Sequence, residues 1–146
     1  MNVQKVITVF NKRLGEDRRD LFWPTCISSA SFLESRSSGH STDGAHSESL
    51  TYKLRIPIDA TVQDERTYVS EQAYKALPAA DLGAHWTLQK GDIILATETE
   101  LTEAMTAEEV KQLAQDTLAD VITVKEYADN TIRGSRSVQH WRIGGE

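Results

Sequence analysis

At 146 residues, with 39% hydrophobic and 26% charged side chains, the chain has the size and make-up of one folded domain with a sizeable core. The net charge of −6 excludes a strongly basic phosphate-binding surface, because the few paired cations, Lys12-Arg13 and Arg18-Arg19, are diluted by Glu16, Asp17 and Asp20. The single cysteine, Cys26, excludes an intrachain disulfide; in its apolar setting it reads as a small buried hydrophobe, not as a catalytic thiol.

Val3 to Phe10 is rich in β-branched and aromatic residues and reads as a strand. It is followed by a charged hairpin connection from Asn11 to Asp20 and a second extended stretch, Leu21 to Phe32, bent at Pro24. From Glu34 to Ser49 the composition changes to six serines and two glycines without a large apolar side chain, which reads as a long inserted loop. Leu50 to Ile58 then alternates: Leu50, Tyr52, Leu54, Ile56 and Ile58 share one face, and Thr51, Lys53 and Arg55 the other. Pro57 lacks an amide donor and predicts a sheet edge at that end.

After a polar loop, Ser70 predicts an N-cap for a short helix ending at Leu77 before Pro78. Trp86 to Thr97 reads as two short strands pivoting on Gln89-Lys90-Gly91-Asp92. Thr106-Ala107-Glu108-Glu109 has the form of a capping box, opening a helix with Val110, Leu113, Ala114 and Leu118 on one face. Two further strands, Val121 to Tyr127 and Val138 to Ile143, flank a turn containing Gly134. The expectation is a single mainly β domain over 1–146 with two short helices, an antiparallel barrel or sandwich carrying a loop at about 34–49.

Motifs for chemistry are missing: no phosphate-cradling glycine loop, no H-E-x-x-H, no C-x-x-C pair and no Gly-x-Ser-x-Gly occur. His40, Asp43 and His46 have metal-binding side chains, but on a solvated loop with nothing to preorganise them, so no metal or other cofactor is expected. The abundant serines define no triad without geometry. Trp23, Trp86, Trp141, Tyr52, Tyr68, Tyr74 and Tyr127 could stack single-stranded bases in an OB-like module, yet their apolar alternation favours core packing. No stretch reaches the ~20 apolar residues of a membrane span, and no secretory signal pattern opens the chain, so a cytoplasmic product is expected.

Several segments in order resemble the neck and minor-capsid proteins of tailed bacteriophages and prophages of Gram-positive hosts. They are Ile7-Thr8-Val9-Phe10-Asn11-Lys12, Ile56-Pro57 with Tyr68-Val69-Ser70, Trp86 through Ile94, and Ser137 through Ile143. Membership would imply a non-enzymatic virion protein, a head-completion or stopper ring linking portal to tail and gating packaged DNA. A tail-terminator or adaptor role at the neighbouring interface is the alternative, an OB-like nucleic-acid binder a remoter one. The implied partners are copies of itself in a ring, a portal or adaptor ring, and tail-terminator or tail-tube proteins. Double-stranded DNA would lie nearby without sequence-specific binding, and no membrane is implied. Under this resemblance the loop residues Glu34, Arg36, Ser38, Gly39, His40, Asp43, Gly44 and His46 are candidates to face the channel, and Pro57, Tyr68, Trp86 and Trp141 candidates for subunit contacts.

Overall fold

The computed structural model describes residues 3–15, 18–40, 46–131 and 139–146. Three long strands come first: β1 (Val3–Leu14), β2 (Asp20–His40) and β3 (His46–Pro57). A middle region follows with a 3-10 turn at Gln63–Glu65, β4 (Thr67–Tyr68), α1 (Glu71–Ala76), a second 3-10 segment at Ala79–Ala84 and β5 (His85–Trp86). β6 (Ile93–Leu95), α2 (Ala107–Thr117), β7 (Val121–Asn130) and β8 (His140–Gly145) complete the order.

Six strands close into a barrel in the order β1-β2-β3-β8-β7-β6, every neighbour antiparallel. Closure removes the open edges that a sheet of this size would otherwise present. The expected antiparallel architecture is therefore found as a barrel, not as a sandwich.

Alternation decides what fills it. Ile7 and Val9 of β1, Tyr52, Leu54 and Ile56 of β3, Ile122 and Val124 of β7, and Trp141 and Ile143 of β8 are buried in one cluster, with Ile94 of β6. Between them on β3, Lys53 and Arg55 are exposed. Each fully buried aliphatic side chain contributes about 1.5–3 kcal/mol, so this cluster supplies the main driving force. β3 thus has the inward face read from its sequence. Pro57 also fits: it pairs with His140 of β8, while the β2 ladder with β3 already begins at Arg55, so its missing amide is not needed on that side.

A second cluster lies on the outer surface. Phe10 of β1, Phe22 of β2 and Leu95 of β6 alternate out of the barrel and are covered by Val110 and Ala114 of α2. The helix begins with the predicted capping box: Thr106 Oγ1 accepts from the Glu109 amide at 3.2 Å, and Glu109 Oε1 accepts from the Thr106 amide at 3.1 Å. Leu118, expected on the apolar face, is instead the C-cap with φ +54° and is 92% exposed. The left-handed cap ends the helix one residue too early for Leu118 to face the barrel. Ser70 caps α1 as read, accepting from the Ala73 amide at 3.2 Å.

Where β2 has no strand on its second side, single bridges cover it. Phe22 exchanges both backbone hydrogen bonds with Met105, and Ile27 pairs with Val62. Cys26 lies between these bridges and is partly exposed, not buried as its apolar surroundings predicted.

The last strand packs closely against β7. A Cβ on Gly145 would fall onto the Thr123 carbonyl oxygen and within 2.7 Å of Ile122 Cγ2, whereas one on Gly144 meets only the Glu126 side chain. Backbone cannot yield as an exposed glutamate can. Gly145→Ala is therefore expected to cost about 1–3 kcal/mol in urea unfolding and Gly144→Ala well under about 1 kcal/mol. Equal losses at the two positions would contradict this packing.

Candidate functional site: an overhanging ribbon above a latched barrel

The Ser/Gly-rich stretch is not a loop along most of its length. β2 continues to His40 and β3 starts at His46, and they stay in register throughout, from Ser31↔Arg55 to His40↔His46. Polar side chains do not prevent this, because a β ladder is held by backbone hydrogen bonds. β1 pairs with β2 only as far as Phe32, and β8 with β3 only from Tyr52. Among the described residues, then, positions 33–40 and 46–51 pair only with each other. At ~3.3 Å per residue the eight residues of β2 beyond the barrel reach about 25 Å.

Most of the candidate channel residues lie on this ribbon. Across it, Glu34 faces Tyr52, Arg36 faces Leu50, Ser38 faces Glu48, Gly39 faces Ser47, and His40 faces His46. Asp43 and Gly44 lie outside the described residues. His40 and His46 are thereby brought opposite one another, six positions apart in sequence yet direct cross-strand partners.

The candidate contact residues separate into two kinds. Pro57 and Tyr68 are half-buried at the barrel surface. Trp86 and Trp141 are withdrawn from it, at 1% and 8% exposure. Tyr68, Trp86 and Trp141 form a mutual ring cluster with centroids 4.9–5.0 Å apart, two of the three contacts edge-on and one tilted. Edge-to-face stacking on top of area burial makes these rings part of the core. Burial and the neighbouring acid Asp129 push the Tyr68 hydroxyl up to about 12, so it stays neutral. Tyr52 and Tyr74 are buried too, which leaves the aromatic set weighed for base stacking largely committed to packing.

The Gln89–Asp92 turn forms, with the Asp92 amide donating to the Gln89 carbonyl at 3.2 Å and Gly91 at φ +92°, a conformation that favours glycine. Its flanking strands are not partners, however. β5 pairs in parallel with β4, while β6 joins β1 and β7. The segment leading from β5 into β6 enters the core as a plug, with Trp86 and Leu88 buried in the barrel cluster.

A buried polar latch holds that plug, and the sequence reading did not identify it. Asp92, fully buried, accepts at Oδ1 from the Lys12 amide (2.8 Å) and Gln89 Nε2 (3.1 Å). Its Oδ2 accepts from Asn11 Nδ2 (2.8 Å) and the Gln89 amide (3.0 Å). Asn11 also donates to the Thr87 carbonyl at 2.6 Å and accepts from the Thr87 amide at 3.1 Å. Burial pushes the Asp92 carboxyl up to about 7, against the pull of these donors. The signal for the latch was present: period two places Asn11 on the inward face with Ile7 and Val9, where a polar residue must find a buried partner.

Nearby, Tyr127 of β7 donates to Glu71 of α1 at 2.8 Å, and this bond and Lys75 hold the Glu71 carboxyl below the ordinary range. Arg66 is buried against Pro24 and Thr25, donating to the Pro24 carbonyl and to Thr25 Oγ1, with burial lowering its pKa. Both contacts brace the middle region against the barrel. None of these groups converges on a cleft with a nucleophile and a base. No helix of the described residues is long and apolar enough to cross a membrane.

No curated protein matches this sequence. No solved structure matches it either. A family of unknown function, DUF6751, matches residues 2–146, and the chain belongs to DUF6751.

Proposed function

We propose that this protein is a structural subunit of the neck of a tailed bacteriophage or prophage, a stopper or head-completion ring between portal and tail. The observation that carries the proposal is the ribbon. A closed barrel is self-sufficient, but an isolated two-stranded ribbon is marginally stable in water and presents two unpaired edges. Roughly 25 Å of such a ribbon is built to meet something, and copies converging around an axis would give each ribbon neighbours. The resemblance of several segments, in order, to neck proteins supports the same reading. In this reading the protein is made in the host cytoplasm and assembles with itself and with portal-side and tail-side rings. The ribbons narrow the DNA passage by steric closure, without enzymatic chemistry or a cofactor. The stretch 34–49 itself carries three carboxylates against one arginine, a balance that does not adhere to DNA phosphates.

The test replaces residues 36–50 with Asn-Gly in the phage that encodes the chain, joining the Ser35↔Thr51 pair by a two-residue turn that preserves register. The purified variant is expected to unfold with nearly the wild-type midpoint, because the barrel core is untouched. Particles carrying it are expected to lose packaged DNA or to fail to join tails. Filled heads that retain their genome and carry tails would sink the proposed role.

A further inference from the structure

The charge of this protein is distributed in one direction. The segment Glu98–Asp120, which includes α2, holds seven carboxylates and a single lysine, Lys111. Its net of −6 equals that of the entire chain, so the remainder is balanced. All seven carboxylates are exposed. α2 covers the outer faces of β6, β1 and β2, through Leu95, Phe10 and Phe22.

The other half of the barrel wall is formed by β3, β8 and β7, and α1 reaches it at β7 through the Glu71–Tyr127 hydrogen bond. Its outer face carries Lys53 and Arg55 from β3 and Arg142 from β8, all exposed. They line a shallow groove together with Ser31 and one carboxylate, Glu126. Arg55 and Arg142 are direct cross-strand partners. Like charges in that position are destabilising. None of the three cations forms an ion pair among the described residues. Two guanidiniums opposite one another on a sheet face, without an ion pair among the described residues, form an arrangement that a carboxylate-bearing partner relieves.

We infer that the β3–β8 face docks the acidic α2 side of a second copy of this chain. The two surfaces lie on opposite halves of one closed barrel, so each copy offers one of each. Contacts of this heterologous kind propagate head to tail and close into a ring when the rotation per subunit allows. The inference deepens the connector reading by naming the faces through which its copies join, though the charge polarity stands without that reading. The contact is steered by electrostatics and weakens as salt screens it.

The experiment uses the full chain and follows self-association by sedimentation velocity at about 50 mM and about 500 mM salt. Wild type is expected to associate at low salt and to dissociate at high salt. The R55E/R142E variant, and separately E103K/D116K, should each self-associate at least about tenfold more weakly. The substituted residues are exposed, and an unchanged urea midpoint confirms that the fold is kept. The chain carrying all four reversals should regain association, and the two double variants mixed together should associate in alternation, each contact again joining opposite charges. A wild-type chain monomeric at low salt overturns the inference, as does association that neither pair of reversals weakens. The second result leaves a connector role intact through other faces. Retention of DNA by particles with the shortened ribbon is the separate result that would remove that role.

Discussion

Asp92→Ala is expected to lower the unfolding free energy by about 3 kcal/mol. The substitution leaves Asn11 Nδ2 with the Thr87 carbonyl and Gln89 Nε2 with the Lys12 carbonyl, so two of the four donors keep a partner. The amides of Lys12 and Gln89 lose their acceptor inside the protein, at roughly 1–3 kcal/mol each, partly offset because a buried carboxylate no longer has to be desolvated. Urea unfolding followed by tryptophan fluorescence measures the loss. A change below about 1 kcal/mol would mean the latch is dispensable.

The same residue gives a pH dependence of known sign. Its carboxyl titrates at about 7 in the folded protein against 3.8 in its ordinary setting, so between these values the folded state holds the proton more tightly. Stability contributed by this group therefore falls as pH rises from about 4 to about 7, by at most ~1.4 kcal/mol per unit, and is flat on either side. Asp92→Asn cannot titrate and removes that slope. Its deficit relative to wild type should be smaller at pH 8 than at pH 5. The reverse ordering would show that the hydrogen bonds, not burial, dominate the carboxyl.

Trp86→Ala is the other large effect, at about 3–5 kcal/mol for a fully buried indole. Trp86 touches both Tyr68 and Trp141 and stands at the start of the plug, so truncation opens a cavity where the plug enters the barrel. Trp141→Phe provides the contrast. Among the described residues the Trp141 indole N–H is buried without an acceptor, so the smaller ring gives up no hydrogen bond there and keeps most of the stacking. It should cost under about 1.5 kcal/mol. Comparable losses from the two substitutions would argue against this account of the cluster.

Much of the fold was legible from period and capping. β3 declared its inward face through Tyr52, Leu54 and Ile56, and both helix starts were announced by Ser70 and Thr106, because alternation and caps are local properties. The pairing of Trp86 with Tyr68 across sequence, and the role of β6 as the closing strand, were not local. Gln89–Asp92 looked like a hairpin turn, yet its flanks were claimed by different partners. The ribbon was missed for a different reason. Composition reports whether a segment has a core to bury, and Ser35 through Ser49 has none; it does not report whether two such segments can continue a ladder begun inside the barrel. Asp92 and Asn11 lay in plain view, but a buried polar contact depends on two distant strands arriving together.

That continuous register makes the ribbon a ruler. Its phase is inherited from Ser31↔Arg55 at the barrel rim, and no irregularity interrupts it up to His40↔His46. Adding or removing one cross-strand pair changes the reach by about 3.3 Å without disturbing the core. A lone insertion in one arm would invert every residue beyond it. Arm length can thus change in paired steps, and the count of residues between the two rim positions measures how far the ribbon reaches.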